Sequence, residues 1–304
     1  MRPVGFSLRQ LEYFIAVANT GTMSAAAGQF HVSQSAVSLA VGQMERTLGV
    51  QLFLRRRSKG LSLTPAGSQL LTDARRLLEH AGELQASARS LGQELTGRLV
   101  VGCFPTLTPF LMGRMLEEFP RRHPGVVVDF LEGSVAQLQD WLLDGRCEAA
   151  LMYDIGIGPG IRTTVLHRSR PYVLLPAAHR LARRKAVWLR ELAAEPLVMI
   201  DMPPSEQHLT EMLTNAGVTP HIRHRTTSFE SVRSLVARGA GYGLLIQRPA
   251  LASSYEALPL ATLEIRDDIA EVPVLLATPA AGRLTRRAQA FVEFCTDAFA
   301  SARP

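Results

Sequence analysis

The sequence predicts an α/β protein in three parts: a small, all-α-dominated domain with a two-stranded wing, one long linker helix, and two α/β lobes. Three observations predict it. Two short apolar-faced segments meet at a tight polar corner near residue 31, and four cations follow at Arg55, Arg56, Arg57 and Lys59. Leu70, Ala74, Leu77, Ala81, Leu84, Ala88, Leu91 and Leu95 recur at alternating steps of four and three. From Arg98 onward, short apolar runs alternate with helical patterns. At 304 residues the chain is long enough for two or three domains.

Ser7-Leu8-Arg9-Gln10 has the form of a capping box, and Leu8, Leu11, Phe14, Ile15 and Ala18 follow at helical spacing up to Gly21. A second helix is expected from about Met23 to Phe30. His31-Val32 makes the corner, and Ser33 is a good N-cap for a third helix reaching about Leu48. In that helix Ala36, Val37, Ala40, Val41, Met44 and Leu48 can face inward, which leaves Gln34, Ser35, Ser38 and Leu39 on the outer, N-terminal side. Three helices with a tight turn between the second and third form a helix-turn-helix. Residues 51–63 alternate apolar with basic or polar around Gly60 and read as the wing. Thr64 caps and Pro65 opens the linker helix, whose stripe suits a dimerising seam; a helix lying on its own domain would show the same stripe.

The remainder offers LVVG, a helix near 108–120, VVVDFLE, a helix near 135–144, and AALMY, an order expected to give a parallel sheet. A second set follows: YVLLP, PLVMI, a helix near 206–216, HIRHRTT, a helix near 229–238, and GLLI. Strands near 258–265 and 272–278 and a helix from about Leu284 close the chain. The expected domains are 1–64, a linker at 65–96, and 97–304, with lobe one at about 97–166 and 267–304 and lobe two at about 167–266.

Charge and cysteine content narrow the function. Residues 1–64 hold seven cations against Glu12 and Glu45, so five of the chain's net +6 charges lie there, as for a domain that meets a polyanion. No apolar run approaches the roughly 20 residues of a membrane span, and the N-terminus lacks a signal-peptide pattern, so a cytoplasmic protein is expected. Cys103, Cys147 and Cys295 stand far apart with no CxxC pair and no metal-ligand cluster. They read as buried small residues, with a thiol sensor at Cys103 the sharper alternative.

These residues carry a resemblance to the LysR-type transcriptional regulators. Phe14, the Ala-rich second helix, Ser33-Gln34, Ala36-Val37-Ser38, Met44-Glu45, Leu48-Gly49, Leu52-Phe53-Leu54-Arg55 and Leu63-Thr64-Pro65-Ala66-Gly67 match densely. Phe119-Pro120, His123-Pro124, Glu132-Gly133-Ser134, Gly145, Glu148-Ala149-Ala150-Leu151, Pro176, His179, Leu181-Ala182, Leu235-Val236, Gly239, Gly241 and Gly243 match more loosely, in the right order. The resemblance implies a winged helix-turn-helix and a two-lobed effector domain similar to periplasmic solute-binding proteins. It also implies a homodimer through the linker helix, a homotetramer, and an interrupted palindromic operator in double-stranded DNA. Three departures stand out: Leu39 where a polar or basic residue is common, Glu148 for Asp, and Arg180 for Pro.

A helix in the major groove reads base edges with its N-terminal side chains, so Gln34, Ser35, Ser38 and Leu39 are the expected base-facing residues. Ser33 joins capping to phosphate contact at the helix N-terminus. Arg55, Arg56, Arg57 and Lys59 reach phosphates or the minor groove, Arg55 fitting the family's wing position best, and Thr64 caps and donates to phosphate. In the effector domain, strand ends and helix starts nominate Cys103, Phe104, Thr106, Ser134, Met202, Pro203, Ser205 and Phe229 for a small, anionic effector, with helix capping the plain alternative for the hydroxyls. No catalytic residue, metal or cofactor is expected. G-x-S-x-G, P-loop and G-x-G-x-x-G motifs are absent, and the cysteine-pair spacing of peroxide-sensing relatives is absent from residues 196–220. A plain solute-binding protein would leave residues 1–96 unexplained.

Overall fold

The computed structural model describes residues 5–56, 60–89 and 95–300. They fall into two compact units. One runs up to Gly97 and takes in Leu143–Arg146 and Thr285–Arg287; the other holds Arg98–Leu142, Cys147–Leu284 and the chain from Ala288.

In the first unit α1 (Leu8–Thr20) begins at the expected capping box: Ser7 Oγ accepts from Gln10 N at 3.2 Å and Gln10 Oε1 accepts from Ser7 N at 2.8 Å. Gly21 ends it in the left-handed region, φ 71°. Thr22 caps the short α2 (Met23–Gln29). The corner then turns through His31 at φ 53°, a strained backbone for a residue with a Cβ, and it reverses the chain into α3 (Gln34–Leu48). Ser33 Oγ accepts from Ala36 N at 3.2 Å, and Gly49 at φ 69° closes the helix. Leu11, Phe14 and Val17 of α1, Ala26 and Ala27 of α2, and Val37, Val41 and Met44 of α3 form one core. Ala36, expected inside, is exposed; Ala40 is buried one turn on.

The wing is an antiparallel pair, β1 (Phe53–Arg56) and β2 (Gly60–Leu63), in register Phe53↔Leu63 to Arg56↔Gly60. Leu61 N donates to Gly21 O at 2.8 Å, tying the wing to the end of α1. α4 (Pro65–Arg89) starts beside it, and Gly67 lies so close to Leu52 that a Cβ there would sit 2.2 Å from Leu52 O. Leu71 and Ala74 enter the core, and Arg75 Nη2 donates to Asn19 Oδ1 at 2.7 Å. The predicted seam therefore divides. Its first heptad packs on the chain's own domain, whereas Leu77 and Leu84 are exposed, Leu84 at 74%. Leu91 lies outside the described residues, as does the side chain of Ala88.

The second unit contains two sheets. The first has the order β4-β3-β5-β13-β6, from β3 (Gly97–Cys103), β4 (Val126–Glu132), β5 (Ala149–Tyr153), β6 (Ile161–Ser169) and β13 (Val272–Pro279). The second has the order β10-β9-β11-β7-β12-β8, from β7 (Tyr172–Pro176), β8 (Ala186–Val187), β9 (Pro196–Ile200), β10 (His221–Thr226), β11 (Tyr242–Leu245) and β12 (Leu260–Ile265). Helices α5 (Thr108–Arg122), α6 (Val135–Leu143) and α9 (Arg286–Ala300) belong with the first sheet in sequence order, α7 (Ser205–Asn215) and α8 (Phe229–Ala237) with the second.

The expected parallel sheet is in fact mixed. β3 runs parallel to β5, but β13 is antiparallel to both β5 and β6. The cause is topological: the chain leaves the first sheet through β6, builds the second, and returns through β13, which enters from the opposite direction. Phe119 of α5 packs edge-on against Phe291 of α9 at 5.2 Å, so the returning helix seals the first lobe's core.

Candidate DNA-reading surface and effector cleft

Helical periodicity sorts the α3 side chains. Val37, Ala40, Val41 and Met44 are buried, and Ser33, Gln34, Ser35, Ser38 and Leu39 are exposed along one outer edge. Ser33 Oγ and Ser35 Oγ lie 2.9 Å apart at the helix start, where backbone N–H groups favour an anion. Leu39 is 59% exposed, a large apolar side chain at the surface. Arg55 and Arg56 stand on β1 opposite Leu61 and Gly60. The side chains of both, and all of Arg57 and Lys59, lie outside the described residues.

Thr64 departs from its expected role. Its hydroxyl is buried, accepts from Gly67 N at 2.9 Å and donates to Gln51 O at 2.7 Å. Capping is as expected, but the single hydroxyl proton is already engaged, so none remains for a phosphate. Glu45 was not foreseen as a site residue. From the last turns of α3 its Oε1 accepts from Leu52 N at 2.7 Å and Phe53 N at 3.3 Å, which sets where the wing leaves the helix.

In the second unit the strand ends meet across the lobes. Thr106, Tyr153, Ser205, Phe229 and Gln247 line a notch of about 20 Å³. Thr106 Oγ1 lies 3.2 Å from Tyr153 OH, and Gln247 Nε2 is buried there without a partner. Burial pushes the Tyr153 phenol up to about 12 even though the Thr106 hydroxyl beside it acts in the opposite direction. Thr106 and Phe229 also line a second, larger cavity of about 920 Å³ beside it.

Of the eight expected effector residues, Thr106, Ser205 and Phe229 are brought together. Cys103 and Phe104 are wholly buried in lobe one, Phe104 edge-on to Tyr153 at 5.5 Å; they support the wall and do not line it. Burial raises the Cys103 thiol to about 12, so at neutral pH it stays protonated and packs as a small apolar residue. Ser134 caps α6, accepting from Gln137 N at 3.3 Å, and Met202 and Pro203 take no part in the lining. Tyr153 and Gln247 were missed, although Tyr153 ends the apolar β5 and Gln247 follows the apolar β11, and the rule that found Thr106 covers them. The segment 249–257, which lines the larger cavity, carries no periodic pattern that could have singled it out.

That segment is held by a buried ion pair. Arg233, 2% exposed, donates from Nε to Glu230 Oε2 at 2.9 Å and from Nη2 to Leu251 O at 3.0 Å and to Ser253 O. Glu230 Oε1 in turn accepts from Tyr255 N at 2.6 Å. Hydroxyls are present for the expected anion, but among the described lining residues the one cation is this engaged arginine.

A family model for the LysR substrate binding domain matches residues 92–300, and one for the bacterial regulatory helix-turn-helix protein, lysR family, matches residues 8–68. The chain belongs to the LysR family. This LysR regulator therefore joins a helix-turn-helix DNA-binding domain to an effector domain, and its family is one of transcriptional regulators, not of enzymes. It is 31% identical to the HTH-type transcriptional regulator TfdS of Cupriavidus pinatubonensis over 278 residues, covering 88% of this chain and 90% of that one. Among solved structures it resembles HinK, a LysR family regulator from Pseudomonas aeruginosa, at 30% identity and a TM-score of 0.65 over 97% of this chain and 98% of that one. It also resembles full-length CbnR complexed with its target DNA, at 25% identity and a TM-score of 0.57 over 97% and 100% of the two chains. Among the described residues no helix is long and apolar enough to cross a membrane.

Proposed function

We propose that this LysR regulator reads an interrupted palindromic operator with Gln34, Ser35, Ser38 and Leu39 of α3 in the major groove. Ser33 and the helix N-terminus meet phosphate, and Arg55, Arg56, Arg57 and Lys59 of the wing grip the backbone alongside. The observation that carries this reading is the clean division of α3 into a buried apolar face and an exposed edge of short polar side chains and Leu39. Leu77 and Leu84, exposed seven residues apart on α4, support residues 65–96 as the dimerising linker and a homotetramer as the assembly. A small effector enters between the lobes at Thr106, Ser205 and Phe229 and shifts the spacing of the winged domains by its differential affinity for two arrangements. The protein works in the cytoplasm.

The test is a gel-shift and footprint of the full-length protein on the region upstream of its own gene. Gln34→Ala is expected to relax base preference, and Arg56→Ala to weaken binding to every sequence alike. Equal loss of specificity from both changes would sink the division of roles.

A further inference from the structure

The two spaces between the lobes differ too much in size to serve the same ligand. On the measure that gives the notch about 20 Å³, one water needs roughly 10–15 Å³, so Thr106, Tyr153, Ser205 and Gln247 enclose room for about one water molecule. The neighbouring cavity, at about 920 Å³, falls at the upper end of the roughly 300–1,000 Å³ typical of ligand sites.

Its walls define a chemistry. Phe110 from the first lobe meets Phe229 from the second edge-to-face, centroids 5.6 Å apart and planes at 83°. Pro105, Pro109 and Pro249 add aliphatic surface around them. At the rim Leu251 is 74% exposed and Tyr255 87%, the two most exposed large apolar side chains of this unit among the described residues. The Glu230–Arg233 pair pins their segment through three backbone atoms, so these side chains stand open because the backbone is held there.

The same pair sets the charge. Arg233 is already matched by Glu230 and two carbonyls, so a buried anion would face a carboxylate with no free cation, and a buried cation would compete with Arg233 for Glu230. Of the lining hydroxyls of Thr106, Thr227, Ser228, Ser253 and Ser254, one is buried without a partner among the described residues. That one is the Oγ of Ser254, which is almost fully buried in the same wall, and its satisfaction calls for a carbonyl or hydroxyl and not for a charge.

We propose that the effector is a ring-bearing, largely apolar molecule, uncharged in the part it buries, that seats against Phe110 and Phe229 and is covered by Leu251 and Tyr255. This rests on the reading of the interlobe region as the effector site and departs from the small anion that strand-end geometry suggests. Closing Leu251 and Tyr255 over a ligand removes exposed apolar surface, which gives the bound state its advantage.

The test uses the full-length protein and N-phenyl-1-naphthylamine, an uncharged three-ring dye whose emission rises in apolar surroundings, with benzoate as the small aromatic anion. One saturable dye site per chain is expected, with benzoate failing to displace it at millimolar concentration. Phe229→Ala and Ala250→Trp should each weaken the dye at least tenfold. Ala250 is exposed at the cavity, so the tryptophan fills space without disturbing a core, and an unchanged melting temperature keeps that variant informative if Phe229→Ala unfolds. No saturable binding, or undiminished binding in Ala250→Trp, overturns the proposal. Benzoate altering the operator footprint while the dye fails to bind overturns this chemistry and leaves the effector reading intact. Dye bound in the cavity with no change in the footprint counts against the effector reading and leaves the cavity's chemistry standing.

Discussion

Glu45 Oε1 accepts a 2.7 Å hydrogen bond from Leu52 N, so one carboxylate near the end of the recognition helix holds the residue that opens the wing. The two elements proposed to meet DNA are thereby set against each other by a half-buried carboxylate. Glu45→Ala leaves two backbone donors unsatisfied and is expected to cost about 1–3 kcal/mol. It should also weaken binding to specific and non-specific DNA together. Glu45→Gln keeps the acceptor and should recover most of both. Urea unfolding and gel-shift of the two variants check this; Glu45→Ala binding operator at full affinity would exclude the anchoring role.

Gln34 is exposed, so Gln34→Ala should change stability by less than about 0.5 kcal/mol. Its effect should fall on discrimination between operator and random DNA, with the salt slope of binding unchanged. Arg56→Ala is expected to lower the magnitude of that slope by about 0.9, the loss of one phosphate contact. Ser33→Ala removes a helix cap and should cost about 1 kcal/mol. Affinities on both DNAs from 50 to 200 mM salt separate the three.

Leu84→Lys puts a charge on the exposed half of the linker stripe while Leu71 and Ala74 keep the helix on its domain. The variant should keep its melting temperature at low concentration but elute as a smaller species by size-exclusion with light scattering, and bind a half-site better than a full operator. An unchanged assembly would move the dimer contact off this helix.

Five groups make the fold sensitive to alkali. Burial pushes the Cys103 thiol and the Tyr153, Tyr172 and Tyr242 phenols each up to about 12, from ordinary values of 9 and 10, and raises the Cys295 thiol as well. Above pH 9 the unfolded chain releases protons that the folded chain keeps, so stability is fully present below pH 9 and declines toward pH 12. Melting temperatures should fall steadily across that window. Thiol reagents at pH 8 should label the native protein far more slowly than the unfolded one, and fast native labelling of Cys103 would contradict its burial.

His167 acts at the other end of the scale. Its ring stacks on Phe299 at 5.1 Å, its Nδ1 is buried without a partner among the described residues, and burial lowers its pKa from 6.5; His208 is lowered for the same reason. Both stay neutral in the fold while the unfolded chain takes up protons, so their contribution is present above pH 6.5 and lost as pH falls below it. His167→Phe keeps the stack and removes the orphaned nitrogen. It should raise stability by about 1 kcal/mol, on the order of 2–4 °C in melting temperature at pH 7, and reduce the acid-side loss. A lower melting temperature at pH 7 would show that the nitrogen has a partner in solution.

How much was legible depended on the range of the forces involved. The helix-turn-helix was read almost residue by residue, because its signals are local: Ser7, Thr22 and Ser33 cap, Gly21 and Gly49 stop, and the 3.6 period selects the buried face. β6 was missed, since IRTTVLHRS lacks clean alternation and is held by long pairing with β13, more than a hundred residues later. Cys103 and Phe104 were placed in the cleft by their position after a strand, but the core of lobe one takes them first. Glu230 stood out only with Phe229 as the start of a helix at the cleft, and Arg233 did not stand out at all. Only the approach of residues 251–255 gives them their role.

The sequence by itself determined the family, the helices of the first domain and the exposed edge of α3, because caps, periodicity and charge act between residues a few positions apart. Tertiary structure alone decided that Leu71 and Ala74 belong to the domain while Leu77 and Leu84 stand open. It also decided that the sheets are mixed, and that the polar strand ends close to the size of a water molecule beside a large apolar cavity. Burial and cavity volume depend on which distant surfaces meet, and no local pattern records that.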